Sequence, residues 1–195
     1  VCAHLEAITD GVLNDDGTFY NRLLVNIPPG TMKSLLIGVF WPAWEWGPRN
    51  MPHLRYVCAA HKVENLSARD SRRMRQLITS DWYTARWGDR VSLARDQNEK
   101  LNFQNSVGGF RIATAITSLT GIRGDRVIID DPHSVDDANS QAKLAADITT
   151  FREALRMGAE VYHTLKAVLK EITDSAGEVI TFVDELHTIV GRSEE

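Results

Sequence analysis

Short apolar runs alternate with amphipathic ones along this chain, and the two spacings assign most of its elements. Ala3, Leu5 and Ile8 stripe a short helix over Cys2 to Ile8, and Asn14-Asp15-Asp16-Gly17 marks a polar turn. Arg22 to Ile27 is a strand, and the amphipathic run opening at Lys33-Ser34 predicts a helix to about Phe40, where Pro42 ends or kinks it. Leu54 to Ala60 alternates as a second strand. Glu64 to Ser80 predicts a helix with Leu66, Met74, Leu77 and Ile78 inward and Arg69, Arg72, Arg73 and Arg75 largely outward. Trp82, Tyr83 and Trp87 fall in a connector whose rings pack. Lys100 to Ile116 alternates around Gly108-Gly109, the pattern of a β-hairpin. Arg126 to Asp130 is a β-branched run of the kind buried on both faces in a parallel sheet. Beyond it, Val161, Leu165, Val168, Leu169 and Ile172 stripe a helix over Tyr162 to Thr173, followed by a turn at Asp174 to Gly177 and a strand at Glu178 to Val183. Strands separated by helices predict an α/β fold: a parallel sheet flanked by helices, with a hairpin added.

Two of the strands end in chemistry. Asn26 to Ser34, NIPPGTMKS, follows the apolar Leu23-Leu24-Val25 and precedes Leu35-Leu36-Ile37. Strand, Pro/Gly turn, then Lys-Ser opening a helix is the order a phosphate-binding loop needs, because it gathers backbone N–H groups, a helix N-terminus, a lysine and a hydroxyl at one spot. Pro29, Gly30, Thr31 and Met32 form the turn, Lys33 suits the outer phosphates of ATP, and Ser34 suits Mg²⁺. The usual spacing, G-x-x-x-x-G-K-[ST], is broken at both glycines, where Ile27 and Met32 stand. An ordinary strand-turn-helix with a lysine at its start is the competing reading of this loop.

Arg126 to Pro132, RVIIDDP, strengthens the first reading, because it delivers two carboxylates where open α/β sheets bind ligands. Asp130 fits the Mg²⁺ shell and Asp131 the water-orienting role. Just upstream, Thr120 to Asp125, TGIRGD, is a small-residue loop in which Arg123 is a candidate for stabilising phosphate charge.

Composition changes this picture little. At 195 residues and 43% hydrophobic content the chain can bury one sizeable core. With 22 basic and 26 acidic residues the net charge is −4, so nucleic-acid contact would need a local patch. The arginines at 69, 72, 73 and 75 could form one, or a solvated face diluted by Asp70 and Glu64. Trp41 to Gly47, WPAWEWG, is either a core cluster or a base-stacking platform, and the cost of leaving indole in water favours the core. Cys2 and Cys58 make neither a disulfide framework nor a metal cluster. The absence of a charged-then-apolar leader and of a long apolar run predicts neither a signal peptide nor a membrane span. All prolines and tryptophans lie at or before Pro132, which suggests two origins or two layers.

With the loop, the aromatic run, the Gly-Gly hairpin, TGIRGD and RVIIDDPHS laid out, the chain resembles the ATPase domain of phage terminase large subunits from about Leu5 to Leu155. The resemblance implies a P-loop NTPase with a RecA-like parallel sheet over residues 1–155. It also implies ATP and Mg²⁺ as cofactors, with Lys33 and Ser34 on phosphates and metal, Asp130 on the metal and Asp131 as the catalytic carboxylate. It further implies a packaging motor that moves double-stranded DNA into a procapsid, working with a portal protein and a small terminase subunit in a homo-oligomeric ring, in the cytoplasm of an infected bacterium. Two departures stand out. The loop lacks the arginine that many relatives carry just before the lysine, which leaves Arg123 or a neighbouring subunit to stabilise charge. The family's nuclease domain has no counterpart here.

Leu165 to Gly191, LKAVLKEITDSAGEVITFVDELHTIVG, instead resembles the first AAA+ module of the ClpB family of disaggregases around its Walker B strand, with Asp184 and Glu185 at that family's acidic positions. No second phosphate loop precedes it. Residues 156–195 are therefore expected to complete the same domain with a helix and a strand, as in a chimera. Three functions follow: an ATPase of the packaging-motor type, a catalytically silent nucleotide-binding or interaction module, and a chimeric AAA+ fragment.

Overall fold

The computed structural model describes residues 1–28, 30–60, 66–98, 101–119, 122–130, 149 and 179–182. Its strands are β1 (Arg22–Val25), β2 (Tyr56–Ala60), β3 (Leu93–Asn98), β4 (Phe103–Asn105), β5 (Phe110–Ala115), β6 (Arg126–Asp130) and β7 (Val179–Phe182). They form one sheet in the order β1-β7-β6-β2-β5-β4-β3. From β1 through β5 the neighbours are parallel, and β4 and β3 extend that edge antiparallel.

Every residue of β2 is buried, as a strand covered on both faces requires. Tyr56 and Cys58 join Ile128, Trp41, Trp46, Met74 and Ile78 on one face, whereas Val57 and Ala59 join Ile129, Ile116 and Leu119 on the other. That split is the period-two alternation of the strand expressed as two cores. The turn between β4 and β5 uses Gly108 at φ +96, and a Cβ on Gly109 would lie 1.9 Å from the Pro52 carbonyl oxygen, so only glycine fits there.

The helices are α1 (Cys2–Thr9), α2 (Lys33–Leu35), α3 (Trp41–Trp46), α4 (Leu66–Ile78) and α5 (Asp81–Trp87), with a π-helical stretch, Leu36–Phe40, joining α2 to α3. Of the two outcomes expected at Pro42, an end or a kink, the helix does not end there. Pro42 sits at the start of α3, directly after the π turn, where the switch of hydrogen-bond pattern absorbs its missing N–H. Two elements run where the sequence reading has only a connector or nothing. Ser80 caps α5 by accepting from the Tyr83 N–H, and β3 extends the hairpin to a third strand. Trp41 and Trp46 are core residues, while Trp82 is 54% exposed, edge-on to Trp87 at 5.3 Å and beneath Arg86. The helix expected over Tyr162 to Thr173, the turn after it and the boundary near residue 155 lie outside the described residues.

A buried ion pair ties the amino end of the sheet to α3. Glu45 accepts from Arg126 Nη2 at 2.8 Å and from its Nε at 3.2 Å, with both residues almost fully buried. The hydroxyl groups of Thr9 and Tyr56 also donate to the Glu45 carboxylate. Trp41 Nε1 donates to Thr9 Oγ1 at 3.0 Å, and the Trp41 ring faces the Arg126 guanidinium. Burial first, then the Glu45 charge, pushes the Tyr56 phenol well above its usual range, so it remains a donor. Nearby, Asp125 accepts from the Arg55 N–H at 2.9 Å, from Nε at 3.0 Å and from Nη2 at 2.9 Å, closing the start of β2 against β6.

Arg126→Met would leave the Glu45 charge buried and unanswered, and is expected to cost about 3–5 kcal/mol in urea unfolding. Adding Glu45→Gln to it should recover part of that loss. A single variant as stable as the parent would refute the role of the pair. A second expectation concerns acid. The Arg55 side chain, and after it the Arg55 N–H, hold the Asp125 carboxyl below the usual carboxylate range, against partial burial. Since the folded value is the lower one, this contribution is fully present above the unfolded value of about 4 and is lost as pH falls through the folded one. Asp125→Asn should therefore flatten the loss of melting temperature below about pH 4. An acid limb identical to that of the parent would assign the loss to other carboxylates.

Candidate functional site at the carboxyl edge of the sheet

The site begins with register. Val25 at the end of β1 and Asp130 at the end of β6 both lie opposite Phe182 of β7, so the two strands finish level on either side of it. Two strand spacings separate them, about 10 Å. The loop from Asn26 therefore leaves the sheet at the edge where Asp130 arrives, although 104 residues of chain separate the two positions.

Within the loop, Gly30 has φ +80 and Met32 φ +60, with Met32 70% exposed. Met32 thus holds the left-handed conformation that favours glycine, at the position where a standard phosphate loop has its second glycine. Thr31 Oγ1 donates to the Pro28 carbonyl at 2.8 Å, and the Met32 carbonyl accepts from Leu36 N–H at 2.9 Å. Lys33 is only 6% exposed, and its Nζ donates to the Ile27 carbonyl at 3.0 Å across the base of its own loop. Ser34 follows, half-buried, in the first turn of α2.

Asp130 is 6% exposed and, by strand alternation, shares a face with Ile128 and Arg126. α4 covers that face of the sheet, with its Met74 and Ile78 in one core with Ile128. Asp70 is buried there. Its Oδ2 would lie 3.3 Å from a Cβ on Gly38, in the π-helical stretch that follows the loop. Asp70 accepts from Arg69 Nε at 2.8 Å and from Arg69 Nη2 at 3.2 Å, and Arg73 Nη1 lies 3.5 Å away. Asp70 is therefore no surface acid diluting the arginines of α4, as its sequence context suggests, but the carboxylate that holds two of them. Arg72 is exposed, Arg75 half-buried, and Glu64 lies outside the described residues. The Cys58 thiol, on the facing strand, is pushed up by burial first, opposed by Arg111 and reinforced by Asp70 and Asp130.

Arg123 does not belong to this constellation. A parallel strand receives its incoming loop at the amino edge. A Cβ on the adjacent Gly124 would lie 2.9 Å from the Arg55 carbonyl oxygen, just before β2 begins. Arg123 is exposed there, a whole strand length, roughly 13 Å, below Asp130. It cannot reach the loop of its own chain. Pro29 and Asp131 lie outside the described residues, as do Asp184 and Glu185.

The roles of three residues, Glu45, Arg126 and Asp70, escaped the sequence reading. Glu45 stands alone among tryptophans and Arg126 opens an apolar strand, so a charge inside an apolar run was the available signal for both. Asp70 carried no such signal, since it sits among arginines in a polar stretch. Among the described residues no group of three or more His, Cys, Asp or Glu could hold a metal by itself, and no helix is long and apolar enough to cross a membrane.

Comparison with known proteins finds partial likenesses. The family model of the enolase C-terminal TIM barrel domain matches residues 133–185. Of these, the structure describes only Thr149 and Val179–Phe182, and the latter strand pairs within an open sheet whose described edges are β1 and β3. The chaperone protein ClpB 1 of Thermosynechococcus vestitus is 41% identical over 56 residues, 29% of this chain and 6% of that protein. ClpB of Leptolyngbya boryana is 42% identical over 62 residues, 32% of this chain and 7% of its own length. ClpB of Mycobacterium tuberculosis is 42% identical over 76 residues, 38% of this chain and 9% of its own. Part of this chain is thus similar to ClpB chaperones, and the chain spans less than a tenth of the curated relatives it matches.

The conformation of Met32 can be tested by substitution. Left-handed backbone costs a non-glycine residue about 1–2 kcal/mol, and the exposed Met32 side chain has little packing to lose. Met32→Gly should leave stability unchanged or raise it by up to about 1 kcal/mol, whereas Met32→Val should lower it by about 1–2 kcal/mol. Urea midpoints in the reverse order would contradict this backbone.

Proposed function

We propose that this chain is a nucleotide-binding module of the P-loop NTPase type, with a RecA-like sheet, in which an AAA+ segment similar to that of ClpB completes a terminase-like core. The observation that carries this reading is the shared level of Val25 and Asp130 across β7, which brings the lysine-bearing loop and a buried carboxylate to one edge. The donor set there suits ATP with Mg²⁺. Ser34 supplies a hydroxyl and Asp130 a carboxylate, the hard oxygen ligands this cation prefers. Ser34 and Asp130 would hold the Mg²⁺, which would supply positive charge to neutralise the outer phosphates.

On this reading Lys33 exchanges its bond to the Ile27 carbonyl for one to the outer phosphates. The backbone of Gly30, Thr31 and Met32 wraps the same charge with N–H groups. Asp131 orients the attacking water and takes its proton. The water oxygen bonds to the γ-phosphorus, the bridging P–O bond breaks, and ADP and inorganic phosphate leave. Binding without turnover is the form of this proposal closest to the ClpB likeness, since the AAA+ segment carries no phosphate loop of its own. The second reading, an active packaging motor, is favoured by two successive acids, Asp130 at the end of β6 and Asp131 directly after it. That reading brings double-stranded DNA, a portal protein, a small terminase subunit and a homo-oligomeric ring as partners. In such a ring the exposed Arg123 could serve only a neighbouring copy.

Lys33→Ala should weaken Mg²⁺-ATP binding roughly ten- to hundredfold, the worth of a hydrogen bond to a charged group. Asp131→Asn should bind ATP as the parent does and, if the parent turns over, lose about 10²–10⁴-fold in rate. Titration of a fluorescent ATP analogue alongside a phosphate-release assay distinguishes the two. Undiminished binding by Lys33→Ala would overturn the site, and parent-like turnover by Asp131→Asn would overturn the role of that acid.

A further inference from the structure

The proposed site lacks a cation in its loop beyond Lys33, and Arg123 is out of reach. The structure holds another arginine at the right edge. α4 begins beyond the carboxyl end of β2, and Ser67 in its first turn has its Oγ 3.5 Å from the carbonyl of Thr114, near the end of β5. Arg69 follows two residues later. Its Nε and Nη2 are both engaged by Asp70, which leaves Nη1 without a protein partner among the described residues. The Arg69 side chain is 36% exposed, while that of Asp70 is 4% exposed. A buried carboxylate thus grips one edge of a guanidinium whose other edge remains available. Asp70 in turn abuts Gly38 of the helix that carries Lys33 and Ser34, so the fork is registered to the loop itself.

From this geometry we infer that Arg69, held in place by Asp70, is the cation that contacts the γ-phosphoryl group of ATP within the same chain. The electrostatics agree: Asp70 first, and Asp130 in addition, hold the Arg69 guanidinium above its ordinary range, and a partly buried fork of this kind suits phosphate oxygens. Asp70 is the positioning residue. It keeps the arginine ordered before nucleotide arrives, so that no side-chain freedom is lost on binding. Gly38 permits this arrangement, because a side chain there would press on the Asp70 carboxylate. Arg73 shares the same carboxylate, with its Nη1 3.5 Å from Asp70 Oδ1.

The inference rests on the proposed nucleotide site, and the experiment separates the two. Affinities for Mg²⁺-ATP and Mg²⁺-ADP are measured by titration for the parent chain, Arg69→Gln, Arg69→Lys and Lys33→Ala, with melting temperatures to confirm folding. Because ADP has no γ-phosphoryl group, Arg69→Gln should reduce the preference for ATP over ADP about tenfold or more while leaving ADP affinity within about twofold. Arg69→Lys should retain part of the preference, as a point charge without the fork. Where the parent turns over, the rate of Arg69→Gln should fall by about 10³-fold or more. An unchanged ATP-to-ADP ratio in Arg69→Gln, with binding lost in Lys33→Ala, overturns the role of Arg69 and leaves the site standing. Undiminished ATP binding by Lys33→Ala overturns both.

Discussion

The Glu45–Arg126 pair is the constraint around which the described structure is arranged. A carboxylate and a guanidinium removed from water cost several kcal/mol each, and they persist only where their hydrogen bonds are nearly filled. Thr9, Trp41 and Tyr56 complete that shell, so α1, α3, β2 and β6 must meet at one point. Apolar packing alone would allow these elements to slide. A charge pair with directional partners does not.

That constraint reaches the opposite edge of the sheet through two rigid elements. The helix from Lys33 to Trp46 carries Lys33 at one end and Glu45 near the other, and β6 carries Asp130 at one end and Arg126 at the other. They meet at the ion pair on the amino edge, and Lys33 and Asp130 stand toward the carboxyl edge. Fixing one end therefore fixes the spacing at the other. The π-helical stretch and Pro42 belong to this account, since they let one continuous helix follow the sheet instead of stopping halfway. Asp70 adds a third brace at the upper end, between α4 and Gly38.

The segment around residues 179–182 enters through β7. Its strand lies between β1 and β6, hydrogen-bonded to both, so the two halves of the candidate site face each other across a strand that comes from the far end of the chain. A near-continuous apolar run such as Val179-Ile180-Thr181-Phe182 needs a central, doubly covered position, and this sheet offers one. Strands from both ends of the chain thus share one sheet, since β1, β7 and β6 run parallel and β1 and β6 end level opposite Phe182.

The sequence by itself determined the local elements and the chemistry each can carry. The strand before the loop, the strand before the acids, the paired glycines of the hairpin and the apolar strand near the end were all legible, because alternation and turn residues act over a few neighbours. Met32 was legible only as a missing glycine, since a backbone angle has no letter of its own. What the tertiary structure decided is which distant residues share a place. It put Arg123 at the wrong edge for its own loop, converted Asp70 from a surface acid into a buried brace, carried the helix past Pro42, and joined Glu45 to Arg126 across 81 positions of chain. Each of those outcomes depends on strand order and register. Hydrogen bonding between distant segments sets them, and no local pattern encodes them.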